Sequence, residues 1–135
     1  MPGALELLNH LNESHIPWGI VTSGSIPVAH ARHRAAGLPM PDVFVTAEQV
    51  TRGKPEPDPY LLGARLLGLP PQECVVVEDA GAGVLSGLAA DCHVIAVNVP
   101  ADSPRLDEAD FVLTRLDEVA VAKQPDGCVI VRRKA

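Results

Sequence analysis

The sequence is poor in aromatic residues and contains no long apolar run. Aromatic residues account for 3% of its 135 residues and apolar residues for 47%, so a folded core must be built from aliphatic side chains. No apolar run approaches the roughly 20 residues that span a bilayer, and the first residues lack the charged and apolar regions of a secretory signal. We therefore expect no membrane partner and a cytoplasmic location.

Positive charge and paired cysteines are also scarce. Lysine and arginine number 11 against 17 acidic residues, for a net charge of −6, which argues against a nucleic-acid-binding surface. Cys74, Cys92 and Cys128 lie far apart, with neither a Cys-x-x-Cys pair nor a zinc-binding spacing, so we expect reduced thiols. The length suits one domain, and no repeat or linker divides residues 1–135.

Helical and strand-like apolar segments alternate along the chain. Expected helices cover residues 4–11, 26–36, 58–69 and 83–90. Expected strands cover residues 18–22, 43–46, 74–77, 93–97, 111–113 and 128–131. This alternation is typical of an α/β protein with an open, mostly parallel sheet and helices on both faces. Ser25 and Gly37 are predicted caps of the second helix, and the apolar run at 74–77 predicts a strand buried on both faces.

Polar residues follow three of the expected strands. Ser23 and Gly24 come directly after the first strand, and Lys54 lies in a proline-rich loop after the second. Glu78 and Asp79 follow the third. Because parallel strands end at one edge of a sheet, where ligands bind, we expect these residues to form one site.

Together these residue types are suited to phosphoryl transfer. Hydroxyls and the free N–H groups of a helix start bind anions, which suits the loop at 22–25. Prolines beside Lys54 limit where its ammonium group can lie. The adjacent carboxylates of Glu78 and Asp79 repel each other unless a cation is present, and Mg²⁺ prefers oxygen ligands and bridges to phosphate. We therefore predict a Mg²⁺ site beside a phosphate site.

Each feature has a structural alternative when it is taken alone. A Thr-Ser-Gly-Ser loop is often a helix cap, a Gly-Lys-Pro loop is often a turn, and acidic residues are favoured at a helix start. The glycines at 81, 83 and 87 also suggest a dinucleotide-binding loop, but their G-x-G-x-x-x-G spacing differs from the usual one. The order of the three features, each after a strand, favours phosphoryl transfer.

Three segments resemble motifs of the haloacid dehalogenase-like (HAD) hydrolases. They are VTSGS at 21–25, RGKPEP at 52–57 and VVVEDAGAG at 75–83, and the likeness is greatest to enterobacterial sugar and hexitol phosphatases. The resemblance implies a Rossmann-like fold, Mg²⁺ as cofactor and a small phosphorylated sugar or polyol as substrate. It further implies that Ser23, Gly24 and Lys54 bind phosphate, with Ser23 and Lys54 in catalytic roles. Glu78 and Asp79 would hold the metal.

The first motif of that family, a strand ending in Asp-x-Asp-x-Thr/Val, has no counterpart, and no aspartate precedes Asp42. That motif supplies the nucleophile, and the cap domain that selects the substrate also has no counterpart. The resemblance therefore implies the C-terminal part of a longer enzyme, truncated and inactive alone. It also implies a sheet without its central first strand. The two strand edges left without a partner then meet each other, take up residues 128–131, or drive self-association.

Three functional hypotheses follow from these features. The first is a Mg²⁺-dependent phosphatase for sugar or polyol phosphates, represented by a truncated chain. The second is a non-catalytic remnant that binds phosphate or oligomerises. The third is a phosphomutase of the β-phosphoglucomutase type, which differs from a phosphatase of this family mainly in the part that has no counterpart here.

Overall fold

The computed structural model describes residues 2–134, which form four α-helices and seven strands joined by short turns. The helices are α1 (Ala4–Glu13), α2 (Ile26–Ala36), α3 (Asp58–Leu67) and α4 (Gly81–Ala89). The strands are β1 (Gly19–Val21), β2 (Val43–Val45), β3 (Val75–Glu78), β4 (His93–Val97), β5 (Phe111–Leu113), β6 (Val119–Lys123) and β7 (Val129–Arg133). None of these helices is long and apolar enough to cross a membrane.

The parallel strands form two separate sheets. β1 pairs with β2, while β3, β4 and β5 pair in that order, and every one of these pairs is parallel. This confirms the predicted α/β fold, in which helices and parallel strands alternate from α1 to β4. Because β1 and β3 share no hydrogen-bonded ladder, the parallel layer is divided into a two-stranded and a three-stranded part.

The last two strands form an antiparallel hairpin, of which the sequence predicted only the second strand. β6 pairs with β7 along its whole length. The turn between them is stabilised by Gly127, at φ +91°, and by Asp126, whose carboxylate accepts a hydrogen bond from the Cys128 N–H at 2.9 Å. Since β7 pairs with its neighbour in the chain, the alternative in which residues 128–131 fill the gap in the parallel sheet is wrong.

Two clusters of aliphatic side chains lie on opposite faces of the three-stranded sheet. On one face, α4 packs against β3 and β4, and the cluster contains Val76, Val84 and Val94 together with Tyr60 of α3. On the other face, α1 and the hairpin pack around Ile95 and Val97 of β4. Strand β4 is therefore buried on both faces and forms the centre of the core.

Strand β3 is covered on one face only. Val76 is 4% exposed, whereas Val75 and Val77, whose side chains point to the opposite face, are 43% and 39% exposed. The prediction that this strand is buried on both faces is therefore wrong. The reason lies in tertiary packing, since α1 and the hairpin cover β4 and β5 and leave the outer face of β3 accessible.

Helix α2 has the predicted residues at both caps, but the hydrogen bond at its amino end comes from a residue other than Ser25. Gly37 follows it in the left-handed region at φ +67°, as expected of a C-terminal cap. Ser25 occupies the N-cap position, but its side chain makes no capping hydrogen bond. The Glu48 carboxylate takes that role, accepting the Ile26 N–H at 3.0 and 3.1 Å, and this hydrogen bond lowers the pKa of Glu48.

Helix α1 packs against the hairpin at the other end of the described sequence. Ala4 and Leu7 pack in one cluster with Val131 of β7. The Nε2 of His10 donates a hydrogen bond to the Val121 carbonyl oxygen at 2.6 Å, across 111 residues of sequence. The first helix and the last two strands therefore form one side of the core.

The three cysteines differ in burial, which predicts distinct reactivities. Burial raises the pKa of Cys92 to about 11 and also raises the pKa of Cys74, whereas Cys128 is exposed. Because the thiolate is the reactive form, we expect an aromatic disulfide reagent at mildly alkaline pH to modify Cys128 fastest and Cys92 slowest. Cys128→Ser should remove the fast phase, and equal rates for the three thiols would contradict the structure.

Candidate functional site

Lys54 lies at the carboxyl ends of β1 and β3. Its Nζ donates a hydrogen bond to the carbonyl oxygen of Val21, the last residue of β1, at 3.1 Å. The same atom forms an ion pair with Glu78, the last residue of β3, at 2.5 Å. The side chains of Lys54 and Glu78 are only 12% and 7% exposed. One buried ammonium group therefore joins the ends of two strands that are not paired through their backbones.

Glu78 has a second buried partner, which the sequence analysis missed. The hydroxyl of Tyr60, in the first turn of α3, donates to the same carboxylate oxygen of Glu78 that pairs with Lys54. The Lys54 Nζ also lies 5.1 Å from the centre of the Tyr60 ring. Burial and the negative charge of Glu78 raise the pKa of Tyr60, so the phenol stays protonated and acts as a donor. The available signal was slight: a single tyrosine, six residues after Lys54.

Two contacts hold the loop that carries Lys54. Ser86, fully buried in α4, donates through Oγ to the Glu56 carbonyl oxygen at 2.6 Å. On the outside of the loop, Arg52 pairs with Asp58 at the start of α3 at 3.1 Å, but this exposed pair contributes little to stability. The loop is thus tied to α4 in the interior, and this tie fixes the position from which the lysine side chain extends.

Gly83 makes room for the Glu78 carboxylate. A Cβ added at Gly83 would lie 1.9 Å from the Cδ of Glu78, well inside van der Waals contact. The carboxylate therefore packs directly on the first turn of α4, in space that a side chain at this position would fill. Free N–H groups at a helix start favour negative charge, so this is a suitable location for an acidic side chain.

Ser23 and Gly24 lie in the loop directly after β1. Thr22 fixes this loop, because its N–H donates to the Val45 carbonyl oxygen at 2.9 Å and its Oγ1 accepts the Gly24 N–H at 3.1 Å. The Ser23 hydroxyl is exposed and has no hydrogen-bond partner within residues 2–134. The Ser23 hydroxyl is therefore available to bind an anion, whereas the Gly24 N–H must first break its hydrogen bond to the Thr22 hydroxyl.

Glu78 and Asp79, the predicted metal ligands, have different surroundings. Asp79 is exposed, while Glu78 is buried between Lys54 and Tyr60. Carboxylate oxygens suit Mg²⁺, which takes about six ligands. Between residues 2 and 134, however, no three histidine, cysteine or acidic side chains come together in a way that could hold a metal ion. The donor chemistry fits Mg²⁺, but these residues supply only part of a ligand set.

The fold is that of an α/β protein with polar side chains at the ends of its parallel strands, and comparison with known proteins identifies the family. The sequence model of the haloacid dehalogenase-like hydrolases matches residues 1–91, and the chain belongs to this family. The family predicted from the three motifs is thereby confirmed.

Individual relatives are similar over most of the chain. It is 72% identical over 132 residues to hexitol phosphatase A of Escherichia coli (strain K12), which covers 98% of the chain and 61% of that protein. It is 36% identical to glycerol-1-phosphate phosphohydrolase 2 of Saccharomyces cerevisiae, and this match covers 90% of the chain and 52% of the yeast protein. The chain is also similar to a crystal structure of a HAD family hydrolase from Deinococcus radiodurans R1 with bound phosphate and sodium. The TM-score is 0.77 at 34% identity, and the match covers 85% of this chain and 55% of the other. The chain thus spans about half to three-fifths of these proteins.

The packing of Glu78 on α4 predicts opposite results for two glycine substitutions. Gly83→Ala is expected to lower the free energy of unfolding by about 1–3 kcal/mol, the usual cost of overpacking, because the new Cβ would displace a carboxylate that Lys54 holds. Gly81→Ala is the matched control, since its Cβ would meet Ser103 at an ordinary 3.5 Å. Urea denaturation measures both variants, and equal stability of the two would contradict the predicted clash.

The buried ion pair predicts a large effect of removing its cation. Lys54→Met leaves the Glu78 carboxylate buried without a positive partner, at a cost on the order of 3–5 kcal/mol. The exposed Arg65 of α3 supplies the control, since Arg65→Met should change stability by about 0.5 kcal/mol or less. The double variant Lys54→Met/Glu78→Gln should recover part of the loss, because a neutral amide keeps Tyr60 as partner. A Lys54→Met variant as stable as Arg65→Met would show that the pair is not structural.

Proposed function

We propose that this chain is the core portion of a Mg²⁺-dependent phosphatase that acts on small sugar or polyol phosphates. Membership of the HAD hydrolases supports the hydrolysis of a phosphate ester. The 72% identity to hexitol phosphatase A supports a polyol phosphate as the substrate. The three free thiols support a reducing, cytoplasmic location.

The observation that carries the proposal is the buried lysine at the carboxyl edge of the sheet. An ammonium group has three N–H donors, and two of those of Lys54 are used by Val21 and Glu78. The third is available for a phosphate oxygen. Ser23, in the loop after the same strand end, would donate a second hydrogen bond from its hydroxyl. Donors fixed in this way stabilise the negative charge that develops on phosphoryl transfer.

The proposed metal site uses the two acidic residues at the end of β3. Glu78 and Asp79 would hold Mg²⁺ together with ligands from outside residues 2–134. Bound beside the phosphate, the ion would neutralise part of its negative charge. Lys54 balances the charge of Glu78 independently of the metal, so the site keeps its shape when the phosphate leaves.

The proposed reaction also needs a carboxylate nucleophile. In this chemistry the carboxylate attacks phosphorus, the ester P–O bond breaks, and the alcohol leaves with a proton; water then hydrolyses the acyl phosphate. The Asp-x-Asp motif that would supply the nucleophile is absent from the sequence. Loss of a nucleophile costs on the order of 10⁶ in kcat in the protease case, so we propose that the 135-residue chain has negligible turnover alone.

A chimaera tests the proposed function. The part of E. coli hexitol phosphatase A that lies outside the match is fused to this chain, and Mg²⁺-dependent release of phosphate from hexitol phosphates is measured. We expect turnover from the chimaera and none from the chain alone. Lys54→Met in the chimaera should lower kcat by about 10²–10³, the usual effect of losing one fixed donor to a charged transition state.

Each other result of this experiment has a distinct meaning. Arg65→Met in the chimaera is the control and should leave turnover unchanged. Rapid phosphate release by the chain alone would contradict its inactivity. A folded chimaera without turnover would contradict the phosphatase and favour a non-catalytic remnant. Transfer of the phosphoryl group within the sugar, without release of phosphate, would identify the phosphomutase.

A further inference from the structure

Cys74 and Cys92 occupy matching positions at the starts of two neighbouring strands. Strands β3 and β4 are parallel, and the first step of their ladder pairs Val75 with His93. The His93 N–H also donates to the Cys74 carbonyl oxygen at 3.0 Å, so the contact between the two strands extends back to Cys74. The residue directly opposite Cys74 in this register is Cys92.

The side chains of the two cysteines lie on the same face of the sheet. Side chains alternate between the two faces of a strand, so each cysteine is on the side of the valine two residues further along. Those valines are Val76 and Val94, which belong to one buried cluster. Cys92 is in the same cluster, and Cys74 packs against it. Burial raises the pKa of Cys92 to about 11, and the negative charge of a Cys74 thiolate adds to this rise, as expected of neighbouring sulfurs.

The spacing of neighbouring strands suits a disulfide bond. Adjacent strands lie about 4.8 Å apart, and disulfides join Cα atoms that are roughly 4.4–6.8 Å apart. The two Cβ atoms must approach to about 3.8 Å. Both cysteines lie one residue before their strands begin, so a small shift at these two positions brings the Cβ atoms together while the ladder of β3 and β4 stays in place.

The two thiols differ in their access to solvent, which determines the order in which they react. Cys74 is half-buried, and its Sγ donates a weak hydrogen bond to the Pro70 carbonyl oxygen at 3.6 Å. Cys92 is only 9% exposed, and its N–H donates to the Gly87 carbonyl oxygen at 3.1 Å. Cys74 therefore meets a dissolved oxidant first, whereas Cys92 reacts with a sulfur that is already beside it. Cys128 belongs to the hairpin, which packs on the opposite face of the three-stranded sheet.

We propose that Cys74 and Cys92 form a reversible disulfide bond when the folded chain meets a small disulfide oxidant such as oxidised glutathione. In the first step the Cys74 thiolate attacks one sulfur of the oxidant, the S–S bond of the oxidant breaks, and one glutathione thiolate leaves. In the second step the Cys92 thiolate attacks the Sγ of Cys74 and expels the other glutathione thiolate. Each cysteine gives one proton to water, and the two glutathione thiolates take up these protons.

The bond lies at the edge of the sheet opposite the candidate site. Cys74 precedes β3, whereas Glu78 is the last residue of that strand, so the length of the strand separates them. The loop that the bond closes runs from residue 74 to residue 92 and contains both β3 and α4. A cross-link of this kind acts mainly by restricting the unfolded chain. The inference is therefore independent of the proposed phosphatase activity.

Mass spectrometry of the folded chain tests the bond. The Cys128→Ser variant, which removes the exposed thiol of the hairpin, is incubated with oxidised glutathione at mildly alkaline pH. Excess N-ethylmaleimide in urea then labels every thiol that remains. We expect a product that is lighter by the mass of two hydrogen atoms, binds no maleimide, and yields after digestion a pair of peptides linked through Cys74 and Cys92. Reduction with dithiothreitol should restore both thiols.

Variants that keep one of the two cysteines are the matched controls. In the same background, Cys92→Ala should stop at the first step and retain one glutathione on Cys74. Cys74→Ala should leave Cys92 unmodified over the same time, because a buried thiol does not reach the oxidant. Closing the loop should also raise the midpoint of thermal unfolding by about 10 °C, a shift that neither variant should show after the same treatment.

Three results would overturn the proposal. The first is a folded protein that still has both thiols free after prolonged incubation with the oxidant. The second is a stable glutathione adduct on Cys74 beside a free Cys92, which would mean that the two sulfurs do not meet. The third is a bond that forms only when urea unfolds the chain, or one that joins Cys74 of two molecules, since either would place the reaction outside the folded monomer.

Discussion

The ion pair between Lys54 and Glu78 is the contact on which the rest of the structure depends. It joins the ends of two strands that share no backbone ladder, so side chains hold the parallel layer together at this edge. Taking two charges out of water costs more than their attraction returns, unless other polar groups complete the site. The Val21 carbonyl and the Tyr60 hydroxyl supply such polar contacts, and these hydrogen bonds explain how the pair persists at such low exposure.

The same network serves the core and the candidate site. Gly83 gives Glu78 a place on α4, and Ser86 ties that helix to the loop of Lys54. An anion that binds at the strand ends meets an ammonium group already held in position, so little side-chain freedom is lost on binding. Stability and the proposed binding of phosphate would therefore depend on the same few atoms, and a change made for one would affect the other.

Local sequence patterns were sufficient for the helices and the parallel strands, because apolar periodicity and caps such as Gly37 act within a few residues. They failed for β6, whose alternating valines and alanines give a weak signal and whose partner lies beyond a turn. The sequence also did not predict that Val77 is exposed, because the burial of a strand depends on which other elements pack against it.

In the site, the order of the motifs identified Lys54 and Glu78 as candidates, and the fold brings the two residues together. The contact of Tyr60 depends on how α3 lies across the strand ends, which no local pattern encodes.

The attachment of α1 to the final hairpin has a consequence for how the molecule is made. The ribosome releases the amino end first, and the partner of His10 lies 111 residues later. The apolar side of α1, including Leu7, therefore emerges long before Val131 exists to cover it. The half of the interior between α1 and the hairpin therefore closes only after β7 has been made, and until then α1 lacks this cover.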